Sequence, residues 1–223
     1  MTPKQLVTCV GIVAGIGGFV LAGSISAPLL RAADEDHDEA RIKVGLKIAP
    51  VTLNFEKKNR KLVGLGSYLV NGAGDCNGCH SAGPETQYTS DGNPYLLFPV
   101  FAGKKKVNPD TYLGGGFDFG EFPGPGGPHI ITRNLTPDHS GLPEGGATFA
   151  EFQEIMRTGV DEDHIHPNCP GLNCLPFPFN GSLLQIMPWP AFQDMTDHDL
   201  RAIYEYISAV PCIPGGPLPG HVC

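Results

Sequence analysis

The feature that most constrains this chain is Cys76-Asn77-Gly78-Cys79-His80, a C-x-x-C-H run that occurs once in 223 residues. Two residues between the cysteines allow one tight helical turn to present both thiols, and the histidine follows at once. This pattern is typical of covalent haem c attachment, in which the thiols join the two vinyl groups. We therefore predict one covalent haem c, attached through Cys76 and Cys79. His80 is the predicted proximal iron ligand through Nε2, and its other ring nitrogen would donate a hydrogen bond that fixes its orientation.

The same five residues also allow two alternative interpretations. A redox-active dithiol of the thioredoxin type requires a βαβ context, whereas a short helical pattern and a Gly/Pro-rich loop surround this motif. A zinc site requires a second pair of ligands, for which Cys169 and Cys174 are the close candidates. Haem attachment is favoured over both.

The charge of the chain is acidic. Lys and Arg number 15 against 23 Asp and Glu, so the formal net charge is −8. This balance argues against nucleic acid as a partner. It favours a docking partner with a basic face, although acidity also serves solubility alone.

The N-terminal region predicts export from the cytoplasm. Residues 6–30 contain no charged side chain and are flanked by Lys4 and Arg31. An apolar segment of this length can cross a bilayer. We favour an uncleaved inner-membrane anchor over residues 1–33, with a cleaved signal peptide as the alternative. Residues 34–59 are predicted to comprise an acidic tether and, over 44–55, an extended arm. The remainder would lie in the periplasm.

The cysteine count agrees with an oxidising compartment. Of seven cysteines, two belong to the haem motif and Cys9 lies in the predicted anchor. Four remain, and they allow three pairings: Cys169, Cys174, Cys212 and Cys223. We favour Cys169 with Cys174 and Cys212 with Cys223, because each pair closes a short Pro/Gly-rich loop. The second pairing would close a C-terminal tail over residues 212–223.

The first convincing helix is predicted from about Arg60 to Asn71. Apolar residues recur there at helical spacing on one face: Leu62, Leu65, Gly66 and Leu69. Gly66 lowers helix propensity, which indicates that a bulky group crosses closely at this point. We expect that group to be Tyr206 of the last helix.

Two further helices carry capping signals. Thr148 with Glu151 three residues later forms a capping-box pattern, and Gly159 is predicted to end that helix. The last helix is predicted to begin at Thr196 and to stop before Pro211. Together with the first helix they define a domain over residues 60–211.

Between the first two of these helices lies a long insert, residues 81–142, that is loop-like. Ten of the fifteen residues from Gly114 to Pro128 are Gly or Pro, so no regular element is predicted there. A structureless insert of this length is often functional, and we expect it to wrap the haem edge or to form a partner surface.

Met187 is the predicted sixth iron ligand, chosen from four methionines and the seven histidines other than His80. Those histidines lie in polar or turn-like segments or in the tails. Met1 precedes the anchor, Met156 fits the apolar face of a helix, and Met195 resembles a hydrophobic staple residue. Met187 lies in an apolar loop whose prolines hold the backbone extended, as a strap across a haem face requires. Trp189 and Arg133 are predicted to lie near the haem propionates, where an indole N–H and a guanidinium satisfy carboxylates.

These segments together resemble class I monohaem c-type cytochromes, with the nearest similarity to membrane-associated cytochromes c and the cytochrome subunits of periplasmic dehydrogenases. The matching motifs are Gly66-Ser67-Tyr68-Leu69-Val70, the haem motif, Asn134-Leu135-Thr136-Pro137-Asp138, Arg157-Thr158-Gly159-Val160-Asp161, Met187-Pro188-Trp189 and the last helix. The resemblance implies an all-α fold around one haem, His/Met ligation and electron transfer without substrate turnover. The dehydrogenase subunits commonly carry three haem motifs, whereas this chain carries one.

The leading functional hypothesis is a periplasmic one-electron carrier between a dehydrogenase-type donor and an oxidase or another cytochrome. Two hypotheses from other classes remain. One is a haem peroxidase, which requires an open sixth position and therefore displacement of Met187. The other is a zinc-bound structural module, which would be colourless.

Overall fold

A computed structural model describes residues 38–83, 85–96, 105–122, 124–161, 181–215 and 221–223. The predicted anchor over residues 1–33, the Cys169–Cys174 pair and the adjoining loop lie outside the described residues. Within the described ranges, no helix combines the length and the apolar character needed to span a membrane.

Residues 38–48 are helical and form α1. The sequence predicted an extended arm over 44–55, and for residues 44–48 this prediction is wrong. The helix is stabilised by packing that the local sequence does not reveal. A Cβ on Gly45 would lie 1.9 Å from the backbone oxygen of Gly64, so the two backbones approach closely. Ser67 Oγ donates to the Gly45 carbonyl at 2.7 Å and fastens this contact.

The helix α2 spans Arg60–Tyr68 and continues as a π-helical turn over Leu69–Ala73. Asn59 caps it by accepting the backbone N–H groups of Lys61 and Leu62, which removes two of the unpaired donors of the first turn. This helix ends directly before the C-x-x-C-H motif and therefore positions it.

The main core forms where α2 crosses the last helix, α6, which spans Asp197–Ile207. A Cβ on Gly66 would lie 1.9 Å from the Ala202 carbonyl oxygen and 2.6 Å from Tyr206 Cβ. The predicted close approach of Tyr206 to Gly66 is thus confirmed. Apolar side chains of both helices are buried around this crossing: Val63, Leu65, Val70, Leu200, Ile203 and Ile207. Burial of each contributes about 1.5–3 kcal/mol.

The helix α4 spans Phe149–Thr158 and packs on α6. The capping box of Thr148 and Glu151 is present, and Gly159 ends the helix in the left-handed conformation, so both predictions are confirmed. Thr196 caps α6 by accepting the Asp199 N–H. The ring of Tyr204 on α6 lies 5.7 Å from that of Phe152 on α4.

The long insert contains a small antiparallel hairpin that the sequence did not predict. Its strands are β1, Asp118–Glu121, and β2, His129–Ile131. The base of the hairpin is held by the Thr132 N–H, which donates to the Phe117 carbonyl at 2.9 Å. This bond joins residues fifteen apart, so a Gly/Pro-rich local pattern does not reveal it.

The chain ends in a tail that Cys212 and Cys223 close with a disulfide, the pairing that the sequence favoured. The Asn134 side chain donates to the carbonyls of Ile213 and Gly215 at 2.8 and 2.9 Å. Residues 213–215 therefore pack beside the segment that follows the hairpin.

Candidate functional site

The C-x-x-C-H motif folds as a single helical turn, α3, over Cys76–Cys79. The His80 N–H donates to the Cys76 carbonyl at 3.0 Å, so the histidine continues the turn. Asn77 is buried and accepts the Leu113 N–H at 2.9 Å, which anchors the turn to the middle of the insert. Cys76 is half-buried and Cys79 is exposed, and neither forms a disulfide within the part of the chain that the structure describes.

The ring of His80 is held by one backbone group of the insert. Its Nδ1 lies 2.8 Å from the Arg133 carbonyl oxygen. Because a carbonyl only accepts, Nδ1 carries the proton and Nε2 keeps its lone pair. Desolvation lowers the pKa of His80, which favours this neutral form. This tautomer leaves Nε2 able to bind a metal, and the predicted role of His80 as an iron ligand stays a prediction.

The hydrogen bond between His80 and the Arg133 carbonyl requires the insert to pass close to the haem motif. Gly115 donates its N–H to the His80 carbonyl at 2.8 Å. Its φ is +67°, and a Cβ there would lie 2.3 Å from the carbonyl carbon of Arg133. Only glycine fits between the two segments that hold His80.

Both thiols of the motif are kept protonated. Burial, followed by the nearby Asp75 carboxylate, raises the pKa of Cys76 to about 12. The same two causes, in the same order, raise the pKa of Cys79. Asp75 itself is fixed by the Gln87 side chain, which donates to Oδ1 at 3.1 Å.

A cavity of about 470 Å³ opens beside the motif. Cys76, Cys79 and His80 lie on one wall, and Met187 lies in the loop that forms another. Met156 and Met195 also line it, so three methionines reach the same space. Most of the remaining lining is apolar: Leu69, Val70, Leu135, Phe152, Ile155, Leu183, Leu184, Ile186, Phe192, Ile203 and Ile207.

The loop that carries Met187 is braced against the end of α4. The Leu184 N–H donates to the Gly159 carbonyl at 2.8 Å, and Val160 forms a bridge with Leu183. The Trp189 indole N–H donates to the Leu184 carbonyl at 3.2 Å. Trp189 begins the short helix α5, Trp189–Phe192. The loop is thus fixed on both sides of Met187.

The two residues predicted near the propionates occupy different positions. Arg133 lines the cavity and forms ion pairs with the buried carboxylates of Asp161 and Glu144, the latter at 3.7 Å. Trp189 packs over Gly159 and is not among the cavity-lining residues that the structure describes. Their predicted role at the propionates stays a prediction.

Several functional contacts were missed by sequence reasoning. The Arg133 carbonyl that holds His80 is a backbone group 53 residues away, and no side-chain pattern marks it. Behind Cys76, the Tyr112 hydroxyl lies 2.6 Å from Asn71 Oδ1 and 2.7 Å from the Tyr206 hydroxyl. Glu144 belongs to none of the matching motifs, and Asp161 only ends the motif Arg157-Thr158-Gly159-Val160-Asp161, so neither was predicted as a site residue. Both are buried on or near the cavity wall.

The residues present fit a covalently attached haem. Two thiols and one imidazole lone pair lie on a single turn at the wall of an apolar cavity, and thioether sulfurs reach the same cavity. The cavity volume lies within the range of about 300–1,000 Å³ that is usual for cofactor sites. Thiols, imidazole and thioether are the groups by which proteins hold haem c.

Comparison with known proteins shows a distant similarity to cytochromes. The chain is 30% identical over 146 residues to the cytochrome c subunit of quinone alcohol dehydrogenase from Gluconacetobacter polyoxogenes, and equally to that from Komagataeibacter europaeus. Each match covers 65% of this chain but 21% of the relative. The chain therefore spans about a fifth of the length of these curated relatives. No family model and no solved structure matches it. The similarity supports a cytochrome c-like relation.

Proposed function

We propose that the protein is a monohaem c-type electron carrier with a class I cytochrome fold, all-α apart from the hairpin in its insert. It moves single electrons between a dehydrogenase-type donor and a respiratory acceptor, and it does so in the periplasm behind an N-terminal membrane segment. The observation that carries the proposal is the C-x-x-C-H turn on the wall of an apolar cavity that Met187 also lines. The relation to dehydrogenase cytochrome subunits supports the choice of donor.

In this proposal Cys76 and Cys79 form the two thioethers, and His80 and Met187 are the axial ligands. A bound haem supplies reversible one-electron chemistry at iron. The residues of the chain orient the axial histidine and control the access of water to the haem. The Arg133 carbonyl fixes the His80 ring through Nδ1, and the apolar lining excludes water from the site.

The loop architecture also favours a carrier over a peroxidase. A peroxidase needs one open iron position, whereas Met187 and Met195 both line the cavity. The Met187 loop is braced by Gly159 through the Leu184 N–H. A thioether opposite a histidine raises the reduction potential, which suits a carrier that accepts electrons from a dehydrogenase.

The test is covalent haem staining after expression of the full chain with export and haem maturation. The wild type should give a stained band on denaturing gels that survives acid-acetone extraction. Cys76→Ala with Cys79→Ala should abolish it. Covalent haem in the double variant, or a colourless wild type that binds zinc, would overturn the proposal.

A redox titration separates the carrier from the enzyme. The carrier should titrate as one centre with one electron, and peroxide should be consumed no faster than by free haem. Fast peroxide turnover by the wild type would favour the peroxidase hypothesis instead.

A further inference from the structure

The hairpin of the insert presents an apolar face at the mouth of the cavity. Phe119 and Ile131 both line the cavity, and they remain 38% and 39% exposed. The Phe119 ring is held edge-on by Phe117, with ring centroids 4.5 Å apart. These two exposed apolar residues, Phe119 and Ile131, are called the hairpin face below.

The hairpin face is fastened to the haem motif. The Thr132 hydroxyl, next to Ile131, donates to the Cys79 carbonyl at 2.9 Å. The backbone carbonyl of the following residue, Arg133, accepts a hydrogen bond from the His80 Nδ1–H at 2.8 Å. Cys79 is itself exposed. The hairpin face therefore lies beside Cys79, where the haem motif reaches the surface.

The charged side chains of the hairpin segment are acidic, apart from His129, which pairs with Asp118 at 2.8 Å. Arg133, which follows the segment, is paired with the buried carboxylates of Asp161 and Glu144. From Val107 to Thr132 the chain contains Asp110, Asp118 and Glu121 but no Lys or Arg. Asp118 precedes Phe119 and pairs with Ile131 across the strands, and Glu121 ends β1. Both carboxylates are exposed. Hydrogen bonds from Gly120 and His129 lower the pKa of Asp118, so it is ionised at neutral pH.

We propose, on the basis of the proposed function, that the hairpin face with Asp118 and Glu121 is the docking surface for a redox protein with a basic rim around an apolar centre. Opposite charge steers such a partner, and the apolar centre brings the two redox centres together. In each encounter one electron passes from the reduced protein to the oxidised one, and no bond is made or broken. A second copy of this chain would bring like charges face to face, which disfavours it.

The experiment measures electron transfer with a basic probe protein, mitochondrial cytochrome c, by stopped-flow absorbance across a range of ionic strength. The wild-type rate constant should fall as salt rises, because the Debye length shortens from about 30 Å at 0.01 M to about 3 Å at 1 M. Asp118→Asn with Glu121→Gln should lower the low-salt rate constant about three- to tenfold and flatten its salt dependence. At high salt the variant and the wild type should converge.

The matched control is Glu56→Gln with Glu154→Gln, which changes the net charge equally at two exposed carboxylates outside the hairpin. It should keep most of the low-salt rate. Carbodiimide cross-linking to the probe gives a second measurement, and cross-linked peptides should contain Asp118 or Glu121. Equal effects of both double variants, or cross-links that map elsewhere, would overturn the docking surface.

Haem content and oligomeric state distinguish failure of the docking surface from failure of the proposed function. Every variant is first checked for covalent haem and midpoint potential, and both should be unchanged. Absence of haem in the wild type would defeat the proposed function, whereas normal haem with an unaltered salt dependence would defeat the docking surface alone. Sedimentation that shows a dimer broken by Asp118→Lys would assign the hairpin face to a second copy and overturn the proposal.

Discussion

The indole of Trp189 fills the space that a side chain on Gly159 would occupy, since a Cβ there would lie 2.4 Å from Cε2 and Nε1 of the ring. Gly159 has φ +73°, ends α4 and accepts the Leu184 N–H at 2.8 Å. One glycine thus joins the end of a core helix to the loop that carries Met187.

Gly159→Ala should therefore damage both the fold and the cavity. The left-handed backbone costs a non-glycine residue about 1–2 kcal/mol, and displacement of the ring adds about 1–3 kcal/mol. We expect a loss of about 2–5 kcal/mol in the free energy of unfolding, together with a weaker methionine-to-iron absorption band. Chemical denaturation and the visible spectrum of the oxidised protein measure the two effects.

The control for this substitution is Gly141→Ala. Gly141 has φ +78°, but nothing lies within 4 Å of an added Cβ. It should cost only the backbone strain, about 1–2 kcal/mol, and leave the visible spectrum unchanged. Equal losses at the two positions would mean that the contact between Trp189 and Gly159 contributes nothing.

Features with a local signal were predictable from the sequence. The capping box at Thr148, the cap at Thr196 and the left-handed end at Gly159 depend on residues within one or two turns, and all three are present. The contact of Gly66 with Tyr206 was also predictable, because a glycine within the apolar stripe of a helix lowers helix propensity and so indicates close packing at that position.

Features that depend on distant partners were not predictable. The hairpin follows a motif that it contacts through the Thr132 hydroxyl and the Arg133 carbonyl, both 53 residues from their partners. The helix over 38–48 depends on backbone contact between Gly45 and Gly64. Neither glycine signals its partner, so local propensity indicated a loop and an extended arm where tertiary packing produces a hairpin and a helix.

Gly66→Ala tests the crossing of α2 and α6. Its Cβ would lie 1.9 Å from the Ala202 carbonyl oxygen, which is backbone and cannot rotate away. The helices must separate, and we expect a loss of about 3 kcal/mol in the free energy of unfolding. Gly72→Ala is the control, since its Cβ would meet nothing closer than 3.6 Å. It should change stability by no more than about 0.5 kcal/mol. Similar values for the two would contradict the tight crossing.

The tyrosine pair behind Cys76 predicts alkaline instability. Burial raises the pKa of both Tyr112 and Tyr206 above the ordinary value of 10.0. Above that pH the unfolded chain releases phenol protons that the folded protein retains, so the free energy of unfolding should fall as pH rises. Denaturation midpoints measured from pH 7 to about pH 11 test this direction.

Tyr112→Phe should change that dependence in a defined way. It leaves Asn71 Oδ1 and the Tyr206 hydroxyl each without one partner, which should cost about 1–3 kcal/mol at neutral pH. The fall above pH 10.0 should become shallower, because one buried phenol is gone. Tyr95→Phe, at a side chain 73% exposed, should alter neither property. An unchanged alkaline slope in Tyr112→Phe would contradict the buried pair.

Met187 and Met195 both line the cavity, so the sixth iron ligand has to be chosen between them. Met195 directly precedes the Thr196 cap, and its N–H donates to the Phe192 carbonyl at 3.0 Å. Met187 instead lies in the loop braced by the Leu184 and Trp189 contacts. We therefore expect Met187→Ala to abolish the methionine-to-ferric-iron absorption band and to lower the midpoint potential.

The control is Met195→Ala, which is matched in size and chemistry. It should retain the band and nearly the same potential. Loss of the band in Met195→Ala but not in Met187→Ala would reverse the assignment.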